Sequence, residues 1–279
     1  MPDAEARAPK RGRPASPHAS GSGRGAGARP GTVEREPDRE TRRQALREGL
    51  GVWAGAFALL LLARYLIGPA VPWVASNLKT VAVLAFLYLP GLVLWRRGEA
   101  FADYGLTVRS WRTELKWALG LAALIFPLFA LGFFGFVEVL TRLPEPYAAW
   151  LAPYRGGFDP ALRLPHDFLW LVVTHLFVVA LPEEFFYRGY LYARLALGLD
   201  EARRGRRLLG VTIGPAFWLT ALLFALGHLT EPYPWRLAVF FPALVFGWLR
   251  LRTGTVVAAT LFHALSNLFI AVLEASFFP

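Results

Sequence analysis

The chain has 279 residues, of which 55% are hydrophobic and 18% are charged, and its formal net charge is +10. It contains no cysteine, which excludes disulfides, zinc-thiolate sites and cysteine nucleophiles. The apolar residues are clustered into runs, whereas a soluble globular protein alternates polar and apolar residues at helical or strand period. Several runs approach the ~20 residues that span the hydrocarbon core of a bilayer. The composition therefore predicts an integral membrane protein in contact with the lipid bilayer.

The basic excess consists mostly of arginine. Such a charge could attract nucleic acid. We favour a different interpretation, in which the arginines flank membrane segments on the cytoplasmic side. We therefore expect no nucleic-acid partner.

Residues 1–45 are rich in Pro, Gly, Ala, Ser and Arg, with hardly a large apolar side chain. A segment of this kind cannot bury enough surface to offset the entropy cost of ordering it. We predict a disordered basic tail in the cytosol over these residues and a transmembrane domain over residues 46–279.

About seven apolar runs predict an all-α, polytopic transmembrane helical bundle. They cover approximately residues 50–67, 78–95, 117–140, 167–192, 208–229 (or 215–229), 235–249 and 255–273. Arginine is concentrated in the loops after the second, fourth and sixth runs. By the positive-inside rule these loops and the N-terminus lie in the cytoplasm.

Polar side chains inside such runs are functional candidates, because placing charge in hydrocarbon is costly. Three clusters of them occur, in the fourth, fifth and seventh runs: Glu183, Glu184 and Arg188; His228; and His263 with Asn267.

Helical spacing assigns different roles to the two glutamates of the first cluster. Residues four apart share a helix face, so Arg188 can reach Glu184 and hold it as an ion pair. Glu183 points about 100° away from this ion pair around the helix axis, so the pair does not engage its carboxylate. A carboxylate partly withdrawn from water is suited to act as a general base near neutral pH. We therefore expect Glu183 to be the working carboxylate.

The other two clusters can supply hydrogen bonds. His263 and Asn267 are four apart, so one helix face presents an imidazole and an amide together, as donors to a developing oxyanion. Phe224 lies one turn before His228 and can restrict its ring. His175 could approach the site, but we interpret it as a helix-packing residue.

The depth of these residues raises a difficulty. In straight, upright helices Glu183 would lie at mid-span, His228 near the outer face and His263 nearer the inner face. The three could not meet. We therefore expect that the helices are broken, with Pro182 and Pro215 as candidates for the breaks, or that the spans tilt or start later than the ranges given above.

The three clusters form the ordered motifs E-E-x-x-x-R, F-x-x-x-H and H-x-x-x-N, present here as EEFFYR, FALGH and HALSN. In these motifs the chain resembles the intramembrane proteases of the CAAX-protease and bacteriocin-processing group, called CPBP or the Abi family. The likeness covers residues 164–273. It implies an α-helical membrane protease domain with a polar intramembrane cavity open to one side.

The resemblance also implies roles for the residues. Glu183 would activate water together with His228, while His263 and Asn267 would hold the oxyanion. The other two charged residues of the first motif would support the site. The implied activity is that of an intramembrane endopeptidase, for which we favour no cofactor.

Zinc is an alternative, because the group is also described as metalloproteases. Glu183, His228 and His263 would then be the ligands. We favour the glutamate mechanism, since asparagine is a poor zinc ligand and no H-E-x-x-H arrangement is present. Three ligands could still form a zinc site.

The resemblance implies a membrane-anchored protein or peptide as substrate. Eukaryotic relatives trim prenylated C-termini, but the composition is typical of a GC-rich bacterium. We therefore expect an enzyme of the bacterial inner membrane that cuts near a C-terminal anchor. An alternative function of a different class is that the chain is a membrane protein without catalytic activity, which acts as an immunity or binding protein.

Overall fold

A computed structural model describes residues 37–151 and 161–277 of the chain. Helices dominate these residues, and one short hairpin interrupts them. The helices are α1 (Arg39–Ile67), α2 (Pro72–Ser76), α3 (Leu78–Arg97), α4 (Trp111–Leu140), α5 (Glu145–Leu151), α6 (Phe168–Gly198), α7 (Glu201–Arg204), α8 (Pro215–Gly227), α9 (Phe240–Thr253) and α10 (Val257–Phe277). The antiparallel hairpin consists of β1 (Arg206–Leu208) and β2 (Val211–Ile213).

Among the described residues, five helices are long and apolar enough to cross a membrane: α1, α3, α4, α6 and α10. Large apolar side chains on them, such as Leu131 and Leu169, are mostly exposed, as expected for a surface that faces lipid. The chain is therefore an all-α integral membrane protein, as predicted.

The predicted count of seven spans is not confirmed. Helices α8 and α9 have 13 and 14 residues, which gives each a length of about 20 Å against ~30 Å of hydrocarbon. The fifth run is shortened because the hairpin occupies residues 206–213 and Pro215 begins the helix. The sixth run is shortened because Pro234–Val239 forms 3₁₀ turns before α9.

The N-terminal boundary also differs from the prediction. Helix α1 begins at Arg39, because Asp38 caps it and accepts a hydrogen bond from the backbone N–H of Thr41 at 2.8 Å. Residues 39–45, which we placed in a disordered tail, are therefore helical. The remainder of the predicted tail, residues 1–36, lies outside the described residues.

Helix α6 continues through Pro182 instead of breaking there. Four α-helical residues, Leu181–Glu184, lie between two π-helical stretches, Thr174–Ala180 and Phe185–Leu191. A proline lacks the N–H that closes an α-helical turn, and the wider π-helical turn before it accommodates this loss. The residues of the second π-helical stretch are all buried, so this part of α6 lies in the centre of the fold.

A network of charges joins α1, α3 and α6 at one end of the fold. Arg97 binds Glu48 at 2.9 Å, and Arg194 binds Glu99 at 2.5 Å. Burial alone would raise the pKa of Glu99, but hydrogen bonds from Tyr104 and Arg97 and the charge of Arg194 lower it overall. The Glu99 carboxylate therefore stays ionised at neutral pH and links α3 to α6, while Glu48 joins α1 to both arginines.

Each of the two helices that carry the histidine motifs begins on a buried glutamate from another helix. Glu201 of α7 accepts hydrogen bonds from the backbone N–H groups of Gly214 (2.7 Å) and Ala216 (2.8 Å), where α8 begins. Glu114 of α4 accepts from the Thr255 hydroxyl at 2.6 Å and from a backbone N–H in the first turn of α10 at 3.1 Å. These carboxylates satisfy N–H groups that have no partner within the helix and fix where α8 and α10 start.

We expect Glu201→Gln to lower the thermal unfolding midpoint of the full chain in detergent. The amide must point its NH₂ group at one of the two backbone donors, and losing a buried hydrogen bond to a charged acceptor costs about 1.5–3 kcal/mol. Glu138→Gln is the control, because that carboxylate forms an exposed ion pair with Arg142 one turn away; such pairs contribute about 0.5 kcal/mol or less. Equal shifts in the two variants would contradict the capping role.

Candidate active site

The first motif forms a buried ion pair inside α6. Arg188 Nη1 lies 2.9 Å from Glu184 Oε1, and the two side chains are 2% and 0% exposed. The guanidinium also donates to the backbone carbonyl of Ala243 and lies 4.2 Å from the ring centroid of Phe224. The pairing predicted from the spacing of four is therefore confirmed, and its charge is compensated on several sides.

Glu184 has a second partner, which the sequence did not predict. Nδ1 of His263 lies 2.8 Å from the same oxygen, Oε1. Because a carboxylate only accepts, Nδ1 must carry the hydrogen. Nε2 then faces the other carboxylate, Glu183, at 3.9 Å. The ring of His263 is thus held between the two adjacent glutamates.

The two glutamates have different environments. The Glu184 side chain is 0% exposed and fully engaged, whereas the Glu183 side chain is 18% exposed. This agrees with the expectation that the neighbours point in different directions. Glu183 is the carboxylate that a substrate or a water molecule could reach.

Phe224 brings the two histidines together. Its ring centroid lies 4.7 Å from that of His228 and 6.0 Å from that of His263. The expected contact between Phe224 and His228 is confirmed, and a hydrogen bond between His228 Nδ1 and the Phe224 carbonyl (2.8 Å) fixes the ring further. Since the carbonyl is an acceptor, Nε2 of His228 is a bare acceptor in the neutral ring.

The difficulty with depth is resolved by the short α8. This helix starts at Pro215 and ends at Gly227, so a helix of 13 residues, and not a full membrane span, leads to His228. Phe224 contacts the rings of both histidines, and His263 in turn faces Glu183. The three motifs therefore meet, although α6 does not break.

Asn267 follows His263 by one turn on α10 and is half-buried. Its side chain makes no hydrogen bond to any other part of the chain that the structure describes. The amide is therefore a free donor beside the imidazole, as the spacing indicated.

Two further residues approach the site. Tyr187, one turn after Glu183, is buried, and its ring lies 5.0 Å from that of Phe224. Its hydroxyl lies against the backbone of Gly227, next to His228. The spacing of four from Glu183 could have indicated this residue. His175, which we interpreted as a packing residue, is close enough to His263 to interact with it electrostatically.

The predicted polar cavity at the motifs is not confirmed. One cavity of about 560 Å³ lies at the hairpin, and no residue of the three motifs lines it. Around the motifs, buried aromatic rings fill the space, and they include Phe185, Phe186, Phe224 and Phe246. Phe246 stacks on the imidazole of His263 at 4.6 Å.

The described residues contain no group of three or more His, Asp or Glu side chains placed to hold a metal ion. Nδ1 of His263 is bonded to Glu184, and Nδ1 of His228 to the Phe224 carbonyl, so only the Nε2 atoms could coordinate. In this arrangement Glu183 and the two histidines are not gathered as metal ligands, and zinc remains the alternative to the glutamate mechanism.

Gly227→Ala should destabilise the protein, because its Cβ would clash with the hydroxyl oxygen of Tyr187. Relieving such a contact typically costs about 1–3 kcal/mol. Adding Tyr187→Phe leaves the nearest ring atom at 3.6 Å, so the double variant should recover most of the unfolding midpoint.

Gly55→Ala serves as the control, because no atom lies within 4 Å of the added Cβ. This substitution should leave the midpoint unchanged or raise it. If Tyr187→Phe recovers nothing, the hydroxyl does not lie against the His228 turn.

Comparison with known proteins supports the motif analysis. Residues 165–269 match the family model described as type II CAAX prenyl endopeptidase Rce1-like. No curated protein and no solved structure matches the chain. The matched segment runs from just before α6 into α10 and contains all three motifs. Residues 165–269 are therefore similar to the Rce1-like CAAX proteases, in agreement with the resemblance that the three motifs indicated.

Proposed function

We propose that the chain is an intramembrane endopeptidase that hydrolyses a peptide bond in a membrane-tethered protein or peptide, near a C-terminal anchor. The observation that carries this proposal is the unequal pair of adjacent glutamates. Glu184 is buried and bound to Arg188 and His263, whereas Glu183 is partly open and faces the same histidine. Such a division separates a positioning carboxylate from a working one.

Glu183 acts as the general base. A water molecule has two O–H groups, and the site offers two acceptors for them, the carboxylate of Glu183 and Nε2 of His228. With both hydrogens held, a lone pair of the water oxygen can point at the carbonyl carbon of the substrate. Glu183 takes one proton as the new C–O bond forms.

The carbonyl oxygen gains the negative charge in this step. The side-chain amide of Asn267 donates a hydrogen bond to it, and His263 donates a second from Nε2 when its ring is protonated. Glu184 supports that form, because its carboxylate accepts the Nδ1 hydrogen. The intermediate then collapses, the C–N bond breaks, and Glu183 returns its proton to the leaving nitrogen.

Arg188 is a positioning residue in this scheme. It balances the charge of Glu184, which would otherwise lie unpaired among apolar side chains. Losing one member of a buried pair costs about 3–5 kcal/mol. Glu184 then holds the ring of His263 towards Glu183.

The membrane setting supports the proposed substrate class. The site lies in a bundle whose long helices are apolar enough to cross a bilayer, so a tethered peptide can reach it by diffusion within the membrane. The matched family is named for cleavage of prenylated CAAX proteins. For this chain we propose the broader class of C-terminally anchored proteins, a cytoplasmic N-terminus and the bacterial inner membrane.

The test compares membrane proteomes of cells that carry the wild-type chain, Glu183→Gln or the control Glu138→Gln. Wild type and control should produce a protein that has lost its C-terminal segment. Glu183→Gln should reduce this product about 10²–10⁴-fold, the usual contribution of a general base. Each variant is first shown to be folded in membranes by its unfolding midpoint.

Full cleavage by Glu183→Gln would refute the glutamate mechanism. Identical proteomes from all three strains would favour the non-catalytic rival. Once the substrate is identified, its cleavage by the purified enzyme is measured after exhaustive chelation, which tests the zinc-dependent alternative. We expect cleavage to persist, and a loss that zinc restores would replace the metal-free scheme.

A further inference from the structure

The cavity of about 560 Å³ lies at the arginine-rich end of the fold, away from the three motifs. It is an open cleft lined by the last part of α6, helix α7, the hairpin and the end of α9. Its volume is in the range of small-molecule sites. Its lining includes two arginines, Arg207 and Arg252, and the phenol of Tyr192.

The cavity has a net positive charge, because two arginines and one glutamate line it. Neither Arg207 nor Arg252 forms an ion pair with any carboxylate in the described part of the chain. Glu201 also lines the cavity, but its carboxylate is buried and bonded to the backbone N–H groups of Gly214 and Ala216. The two guanidinium groups therefore remain available to an anion.

One of the guanidinium groups has a fixed place. Arg252 lies over the indole of Trp117, and its guanidinium carbon is 4.9 Å from the ring centroid. On the hairpin side, Gly210 has a φ of 79°, and a Cβ there would lie 2.8 Å from Arg252 Nη1. Trp248 donates a hydrogen bond to the carbonyl of Leu209 and so ties the hairpin to α9. The site is thus built by several elements.

Apolar side chains beside the cavity point to a lipid. Leu208 and Leu209, at the tip of the hairpin, are 53% and 73% exposed. Large apolar residues so exposed next to arginines suit a position where headgroups meet acyl chains. A soluble anion would need no such apolar border.

We propose that this cavity binds the phosphate group of an anionic lipid. Arg207 and Arg252 bind the phosphate oxygens, Tyr192 donates a further hydrogen bond, and the leucines of the hairpin contact the acyl chains. The inference is independent of the proposed peptidase activity, because none of these residues belongs to the three motifs.

The test uses the full chain in detergent and counts bound lipids by native mass spectrometry during titration with phosphatidylglycerol or phosphatidylcholine. Both lipids offer a phosphate, but phosphatidylcholine also brings a choline cation next to the two arginines. Wild type should therefore bind phosphatidylglycerol at least about tenfold more tightly. Arg207→Gln with Arg252→Gln should abolish most of this preference. Arg207→Gln alone, on an exposed strand position, should weaken it about threefold even if the double variant fails to fold.

The matched control is Arg204→Gln with Arg206→Gln, which removes the same charge from the same region outside the cavity lining. It should keep the preference within about twofold. An equal loss in the control would show general surface attraction and overturn the site. Displacement of phosphatidylglycerol by inorganic phosphate at equal concentration would assign the cavity to a soluble anion instead.

Discussion

The buried carboxylate of Glu184 is the interaction on which the geometry of the site depends. It binds Arg188 within α6 and His263 on α10 through the same oxygen. A charge in apolar surroundings is tolerated only with such compensation, and breaking a buried pair costs about 3–5 kcal/mol. The guanidinium in turn lies over Phe224 of α8, whose ring contacts both histidines. One anion therefore links the three helices that carry the motifs.

The backbone supplies the other constraint. Pro182 lies directly before the two glutamates, and the π-helical turns on either side of Leu181–Glu184 let α6 pass through the centre of the fold unbroken. Helices α8 and α10 start on buried glutamates, Glu201 and Glu114, which fix where each helix begins. Positions at the helix starts thereby determine how deep His228 and His263 lie.

Local contacts were predictable from the sequence and long-range contacts were not. A spacing of four indicated the pairing of Glu184 with Arg188 and the contact of Phe224 with His228, because residues one turn apart must be neighbours. The bond from Glu184 to His263 joins residues far apart in sequence and depends on how α6 packs against α10. The span count failed for a similar reason, since apolar runs do not show that α8 starts late or that α9 follows 3₁₀ turns.

The most direct test of this account is the protonation of His263, measured by ¹⁵N NMR of histidine-labelled protein in lipid bilayers. The resonances of His263 are assigned by their loss in His263→Gln. Protonated and bare ring nitrogens differ in chemical shift, so the spectrum reports which atom carries the hydrogen. The hydrogen bond to Glu184 requires hydrogen on Nδ1. A bare Nδ1 with hydrogen on Nε2 would contradict the arrangement and the division of roles between the two glutamates.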